Sequence, residues 1–150
     1  MGENRERTIL LVEDNQDDED LALRALRKRN ISNPIVVCHD GAEALEYVFG
    51  TGKYEGRNVA EFPAVTLLDL KLPKVDGLTV LQRIRADPRT KLMPVVILTS
   101  SNQEMDVARS YEVGANSSVR KPVEFEQFMD AVHQLGLYWA LLNEPPPDRT

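Results

Sequence analysis

The stretch Ala64-Val65-Thr66-Leu67-Leu68-Asp69 decides the fold. Its first five residues are apolar or β-branched without interruption, which is typical of a parallel strand buried on both faces. The run ends abruptly in the carboxylate of Asp69. Because ligands of open α/β sheets bind beyond the carboxyl ends of the strands, this pattern predicts that Asp69 lies on the floor of a site. An isolated aspartate at the end of one strand more often caps a turn, so the rest of the sequence decides between the two interpretations.

Working outward, three further apolar runs and one short stretch indicate strands, and five amphipathic stretches indicate helices. The predicted strands besides the first are residues 8–12, 35–38, 93–98 and 117–119, and the predicted helices span about 17–30, 41–49, 77–86, 103–113 and 124–135. The polar residues 50–61, with three glycines, are predicted to form an inserted loop. This alternation predicts an α/β fold, a doubly wound five-stranded parallel sheet with helices on both faces.

Length and composition limit the classes of function. A chain of 150 residues with 42% apolar residues fits one ordinary globular domain. The formal net charge of -6 argues against nucleic acid or an anionic membrane as partner. The sole cysteine, Cys38, lies in an apolar run and is expected to be a buried thiol. Since the first residues lack the apolar core of a signal peptide and no apolar run could span a bilayer, we expect a cytoplasmic protein.

Residues that follow different strands should meet at one edge of such a sheet. Right-handed connections place every strand's carboxyl end on the same side. Glu13 and Asp14 follow the first strand, Asp69 ends the third, Thr99 follows the fourth and Lys121 follows the fifth. The sequence therefore predicts three carboxylates, one hydroxyl and one ammonium on a single rim.

This set of groups favours phosphoryl transfer with a divalent cation. Close carboxylates repel one another unless a cation lies between them, and Mg2+ prefers one or two carboxylates together with phosphate oxygens. Lys121 could then bind one phosphoryl oxygen and Thr99 could donate a hydrogen bond to another. Asp69 would be the nucleophile that forms an acyl phosphate.

Four motifs in order resemble the receiver domains of two-component response regulators. They are Val12-Glu13-Asp14-Asn15, Leu68-Asp69-Leu70-Lys71-Leu72-Pro73 with Asp76-Gly77, Leu98-Thr99-Ser100, and Arg120-Lys121-Pro122. The resemblance covers about residues 8–135 and implies a flavodoxin-like sheet with strand order 2-1-3-4-5. It implies that a sensor histidine kinase phosphorylates Asp69, and that the chain catalyses only its own phosphorylation and dephosphorylation.

The resemblance also implies roles for the other residues on the rim. Glu13 and Asp14 would hold Mg2+ together with Asp69 and the backbone carbonyl of Lys71. Thr99 and Lys121 would bind the phosphoryl group, and the Lys121–Pro122 peptide bond would be cis. Ser118 departs from the family, which commonly has Tyr or Phe three residues before the lysine. Either another side chain fills the space of the missing aromatic ring, or phosphorylation is coupled differently to the contacts with partner proteins.

The C-terminal region points to a partner. After the amphipathic last helix, Leu137-Tyr138-Trp139-Ala140-Leu141-Leu142 is apolar on all sides, a pattern that usually marks a protein contact. We expect a disordered tail at residues 1–7, a receiver domain at 8–135, and a helical extension with a Pro-rich tail at 136–150. The region resembles single-domain regulators of bacterial phytochrome kinases, which implies a phytochrome partner and a homodimer. Packing of this segment onto its own domain is the alternative.

Three other functions share part of this sequence pattern. A flavin-binding carrier shares the fold, but Glu13, Asp14 and Asp17 would repel a phosphate group after the first strand. A phosphatase with an aspartate nucleophile would usually carry a second aspartate at the position of Lys71. A degenerate receiver that only binds proteins remains the nearer alternative. His39 and His133 have no companion at metal-ligand spacing and are not expected to be catalytic.

Lys71 and Ser101 are predicted to influence the lifetime of the acyl phosphate. Each lies two residues after a residue of the site, Asp69 and Thr99 respectively, where its side chain flanks the path of an attacking water. Substituting either residue should change the half-life of the phosphorylated protein, measured by following its decay. Unchanged decay in both variants would rule the idea out.

Overall fold

Five parallel strands form one sheet in the order β2-β1-β3-β4-β5, as predicted. The computed structural model describes residues 7–27, 31–100 and 104–136. The elements in chain order are β1 (Ile9–Val12), α1 (Gln16–Arg27), β2 (Ile35–Cys38), α2 (Gly41–Phe49), β3 (Val65–Asp69), α3 (Gly77–Ala86), β4 (Val95–Thr99), α4 (Glu104–Val113), β5 (Ser117–Arg120) and α5 (Phe125–Gln134). None of the helices in the described ranges is long and apolar enough to cross a bilayer.

The helices cover both faces of the sheet, which explains the uninterrupted apolar strands. In β1, Ile9 and Leu11 pack with α1 and α5, whereas Leu10 and Val12 pack with α2 and α3. All four side chains are fully buried. Successive residues of a strand point to opposite faces, so a strand between two helical layers must be apolar at every position. The sheet that carries the predicted site residues is therefore packed against helices on both faces.

The boundaries of the elements shift slightly from the predicted ones. Strand β4 begins at Val95, after the predicted Met93 and Pro94, because Pro94 has no N–H to donate to a neighbouring strand. Strands β4 and β5 each extend one residue further than predicted, to Thr99 and Arg120. Helix α1 was predicted to close around Asn30, which lies outside the described residues. Residues 1–6 and 137–150 also lie outside them, and with them most of the predicted tails and the apolar segment.

Residues 50–61 are more ordered than the loop predicted from their composition. Gly52–Tyr54 forms a 3-10 turn. Arg57 donates to the carbonyls of Tyr47 and Val48 at the end of α2, at 2.6 and 2.9 Å, and its guanidinium lies 4.4 Å from the centre of the Tyr47 ring. These bonds satisfy carbonyls that a helix end leaves without intrahelical partners. One arginine therefore fastens the insertion to the fold.

The loop after β3 is fixed by two glycines at the starts of helices. The N–H of Gly77 donates to the carbonyl of Leu70 at 2.9 Å, and the N–H of Gly41 donates to that of Pro73 at 3.2 Å. A Cβ atom added at Gly77 would lie 2.4 Å from the carbonyl oxygen of Asp69, and one at Gly41 would lie 1.7 Å from that of Val75. The absence of side chains thus lets α2 and α3 approach the backbone that carries Asp69.

Replacing Gly77 by alanine should destabilise the protein. The added methyl would collide with the backbone of Asp69 and Leu70, and such overpacking costs about 1–3 kcal/mol. Urea unfolding should show a lower midpoint with an unchanged slope. Gln82→Ala, at an exposed position of α3, is the control and should leave the midpoint nearly unchanged. A Gly77→Ala variant as stable as wild type would contradict this account of the loop.

Candidate functional site

The acidic pair after β1 divides into a buried and an exposed carboxylate. Glu13 is 1% exposed, whereas Asp14 is exposed to solvent. The N–H of Glu13 donates to the carbonyl of Cys38 at 3.0 Å, which fixes its backbone to the end of β2. Its Oε2 accepts from the N–H of Asn15 at 3.1 Å. The turn from β1 into α1 therefore holds the Glu13 side chain inward.

Asp69 is the last residue of β3 and is 3% exposed. Its Oδ1 accepts from the N–H of Lys71 at 3.1 Å, and its Oδ2 accepts from Lys121 Nζ at 2.9 Å. Both carboxylate oxygens are thus oriented by hydrogen bonds. A buried carboxylate in contact with an ammonium is suited to be a nucleophile whose orientation is fixed in advance.

Lys121 lies in the link from β5 to α5, where its peptide bond with Pro122 is cis, as the resemblance implied. The N–H of Lys121 donates to the carbonyl of Thr99, which ties the link to the end of β4. The side chain is 15% exposed, and its Nζ lies 3.4 Å from Glu13 Oε1, 3.0 Å from Asp18 Oδ2 and 2.9 Å from Asp69 Oδ2. One ammonium therefore joins a residue that follows β1, one from α1 and one from β3.

Asp18 is the member of this cluster that sequence reasoning missed. Acidic residues are common in the first turn of a helix because the helix dipole favours them there, so their presence in α1 does not by itself point to a site. The signal that could have found Asp18 is its spacing: it lies three residues after the helix-capping Asn15, which places it in the first turn at the same edge as Glu13.

Thr99 reaches the predicted edge of the sheet. It ends β4, one residue beyond Leu98, which is the partner of Asp69 in the strand register. It is 7% exposed, and together with Ser100 it lines a cleft of about 650 Å3 between α4, β5 and α5. Thr99 thus ends a strand at the sheet edge that carries Asp69 and also lines this cleft.

Three carboxylates could hold a divalent cation. Glu13, Asp14 and Asp69 each offer an oxygen, and these oxygens all lie within 4.8 Å of one another. The donor set fits a hard cation such as Mg2+, which binds carboxylate oxygens and retains water. A second cavity, of about 440 Å3, opens beside Asp14 and Lys71 and leaves room for such waters. The predicted role of the Lys71 carbonyl as a further ligand stays a prediction.

Burial and charge shift two pKa values in the site. Burial, reinforced by the charge of Asp69, raises the pKa of Glu13 from 4.5 to about 7, although the Asn15 N–H and the charge of Lys121 act in the opposite direction. Burial lowers the pKa of Lys121, but its hydrogen bonds to Asp69 and Asp18 outweigh this and raise it overall. Lys121 is therefore a permanent cation, while Glu13 exchanges its proton near neutral pH.

Ser118 lines the cleft between α4 and α5. Its Oγ accepts a hydrogen bond from the hydroxyl of Tyr111 on α4, at 3.2 Å, and the Tyr111 side chain is 47% exposed. The position that is commonly aromatic in receivers therefore carries a small side chain beside open space. A tyrosine hydroxyl from the neighbouring helix approaches it, which sequence reasoning did not foresee.

Cys38, His39 and His133 are not part of the charged cluster around Lys121. Cys38 is buried, and this burial raises the pKa of its thiol to about 12, as expected for an inert thiol. His39 Nε2 lies 2.9 Å from Glu19 Oε1 at the surface, and His133 is exposed on α5. Ser101 lies outside the described residues, and Lys71 is exposed next to Asp69.

Comparison with known proteins agrees with this geometry. The family model of the response regulator receiver domain matches residues 9–133. The response regulator Rcp1 of Synechocystis sp. is 35% identical over 136 residues, which are 91% of this chain and 90% of Rcp1. A probable methanogenesis regulatory protein, FilR2 of Methanothrix harundinacea, is 38% identical over 138 residues, which are 92% of this chain and 86% of FilR2.

Solved structures show the same similarity. The bacteriophytochrome response regulator AtBRR is 53% identical with a TM-score of 0.83, over 94% of this chain and 100% of AtBRR. The Mn2+-bound form of Rcp1 is 34% identical with a TM-score of 0.72, over 93% of this chain and 99% of that one. The phosphorylated cyanobacterial phytochrome response regulator RcpA is 36% identical with a TM-score of 0.72, over 90% and 94% of the two chains. The chain therefore belongs to the family of response regulator receiver domains, with phytochrome response regulators among its close relatives.

Proposed function

We propose that this chain is a single-domain response regulator that accepts a phosphoryl group on Asp69 from a sensor histidine kinase. The observation that carries the proposal is the position of the Asp69 carboxylate, which is buried at the sheet edge, bonded to Lys121 and grouped with Glu13 and Asp14. The phosphorylated state of RcpA supports the same chemistry in a relative.

The residues of the site divide the work of the transfer. A carboxylate oxygen of Asp69 forms the new P–O bond while the P–N bond of the donor histidine breaks, and the electron pair of that bond stays on the imidazole. The Lys121 ammonium stabilises negative charge on a phosphoryl oxygen. Thr99 would donate a hydrogen bond to another phosphoryl oxygen. Burial of Asp69 and Glu13 strengthens these interactions by excluding water.

Mg2+ is the proposed cofactor, held by Glu13, Asp14 and Asp69 with the carbonyl of Lys71. When bound, it supplies positive charge that offsets the repulsion among the carboxylates and the incoming phosphoryl group. The Mn2+-bound form of Rcp1 supports the binding of a divalent cation by a relative. The three converging carboxylate oxygens support it in this chain.

The partners in this proposal are proteins. The similarity to AtBRR and RcpA supports a phytochrome as the kinase, acting in the cytoplasm, and the acidic net charge of -6 disfavours nucleic acid and membrane surfaces. Homodimerisation through residues 136–150 is part of the proposal, although all but Gly136 of that segment lie outside the described residues. Signalling would proceed through altered contacts with other proteins, and not through an activity on a separate substrate.

A second candidate is a receiver that works only as a protein-binding or dimerisation module. The observation in its favour is Ser118 beside the open cleft, where the Tyr or Phe that receivers commonly carry at this position is missing. The complete set of acidic residues, threonine and lysine favours the first candidate, because a protein-binding module needs no such set.

Incubation with Mg2+ and acetyl phosphate should add one phosphoryl group to the wild-type protein, as read by intact mass. Asp69→Asn should abolish the gain because the nucleophilic oxygen is replaced by an amide nitrogen. Asp87→Asn is the control, since Asp87 lies beyond α3 and pairs with Arg89 at 2.8 Å. This variant should gain the group as wild type does.

Two results would contradict this prediction. A wild-type protein that gains no mass would favour the binding module. An Asp69→Asn variant that still gains a phosphoryl group would place the acceptor elsewhere.

Stability in EDTA should depend on pH through Glu13. Its pKa is 4.5 in the unfolded chain and about 7 in the folded protein, so the folded state binds more protons between these values. The free energy of unfolding of wild type, relative to Glu13→Gln, should therefore be highest below pH 4.5 and fall as the pH rises through about 7. Urea unfolding of both proteins across this range measures the difference.

Added Mg2+ should oppose this loss, because the cation takes the place of the proton on Glu13. The stabilisation by Mg2+ should grow as the pH rises through the same window. Parallel stability curves for wild type and Glu13→Gln in EDTA would show that Glu13 does not retain its proton in the folded state.

A further inference from the structure

We propose that Asp18 is a positioning residue. It holds the Lys121 ammonium in place during phosphorylation, when the carboxylates of Asp69 and Glu13 exchange Lys121 for other partners. This inference rests on the proposed function and adds a residue to its machinery. Asp18 lies outside the group of three carboxylates that could hold the cation. Its role is therefore directed at the lysine and separate from metal binding.

The distances place Asp18 among the main partners of Lys121. Lys121 Nζ lies 3.0 Å from Asp18 Oδ2, compared with 2.9 Å from Asp69 and 3.4 Å from Glu13. The Asp18 side chain is 29% exposed, and that of Lys121 is 15% exposed. The ion pair is thus partly shielded from water, which makes it stronger than a surface pair.

The start of α1 leaves the Asp18 carboxylate available for this contact. Asn15 caps the helix: its Oδ1 accepts from the N–H of Asp18 at 2.9 Å, and its carbonyl accepts from the N–H of Glu19 at 2.9 Å. An acidic residue at this position of a helix commonly bonds back to the N–H of the capping residue. Here the N–H of Asn15 already donates to Glu13 Oε2 at 3.1 Å.

The chemistry of the transfer gives this contact a purpose. An ammonium has three protons to donate, and the three carboxylates around Lys121 can accept all of them. On phosphorylation, the Asp69 carboxylate becomes a mixed anhydride whose negative charge lies on the phosphoryl oxygens, and Glu13 would be a ligand of a bound cation. Asp18 is then the one of these three carboxylates that stays on Lys121, so the flexible lysine stem remains aimed at the phosphoryl oxygens.

The test compares phosphorylation rates at saturating acetyl phosphate and Mg2+. Asp18→Asn should lower the saturating rate by about threefold to tenfold, because a charge-assisted bond to Lys121 becomes a weaker neutral one. Asp18→Glu, which keeps the charge, should recover part of the loss. Asp17→Asn is the matched control, since Asp17 is exposed in the same turn of α1, and its rate should stay within about twofold of wild type.

A second readout needs no phosphorylation. The lysine ammonium resonance that disappears in Lys121→Arg identifies Lys121 in nitrogen-resolved NMR spectra. In wild type and Asp17→Asn, the hydrogen bonds should protect this signal from exchange with water. In Asp18→Asn it should broaden or shift while the amide spectrum remains that of a folded protein.

The outcomes separate this inference from the proposed function. A wild-type protein that takes no phosphoryl group refutes the proposed function and this inference with it. A wild-type protein that is phosphorylated, together with an Asp18→Asn variant of unchanged saturating rate and unchanged ammonium signal, refutes this inference alone. A saturating rate that rises in Asp18→Asn also refutes it, because Asp18 would then act only as a repelling charge.

Discussion

A single ammonium group holds the functional edge of this protein together. Lys121 Nζ lies within 3.4 Å of the carboxylates of Glu13, Asp18 and Asp69, which would otherwise repel one another in a largely buried space. Burying such a cluster costs desolvation energy that its Coulomb attraction only partly offsets. The cluster is therefore better explained by chemistry than by stability. Its excess of negative charge favours a bound cation at this edge.

The fold supplies this cluster through simple constraints. Two helical layers allow the strands to be apolar throughout, and parallel strands bring their carboxyl ends to one edge. The glycines at the starts of α2 and α3 then let those helices pack against the loop that follows Asp69. Each constraint acts on backbone geometry, so the side chains of the edge remain free to carry the chemistry.

Much of this could be predicted from the sequence, because period and position decide it. Uninterrupted apolar runs predicted four of the five strands. The residues at the carboxyl ends of the strands predicted the site: Glu13, Asp14, Asp69, Thr99 and Lys121. Three features escaped prediction: the contact of Asp18 with Lys121, the fastening of the insertion by Arg57, and the approach of Tyr111 to Ser118. In each of these contacts, a side chain from one segment of the fold reaches a residue of another segment. The spacing of Asp18 from Asn15 indicates where on α1 its side chain lies, but the partner that each of these side chains contacts depends on the final packing.

The central claim is that the converging charges make one side chain, Asp69, the phosphoryl acceptor. The most direct measurement is to treat the phosphorylated protein with borohydride, which reduces an acyl phosphate to an alcohol, and to locate the reduced residue by peptide mass spectrometry. We expect Asp69 to be reduced to homoserine, while Glu13, Asp14 and Asp18 remain unmodified. Reduction at any other carboxylate, or none in protein that has gained a phosphoryl group, would contradict it.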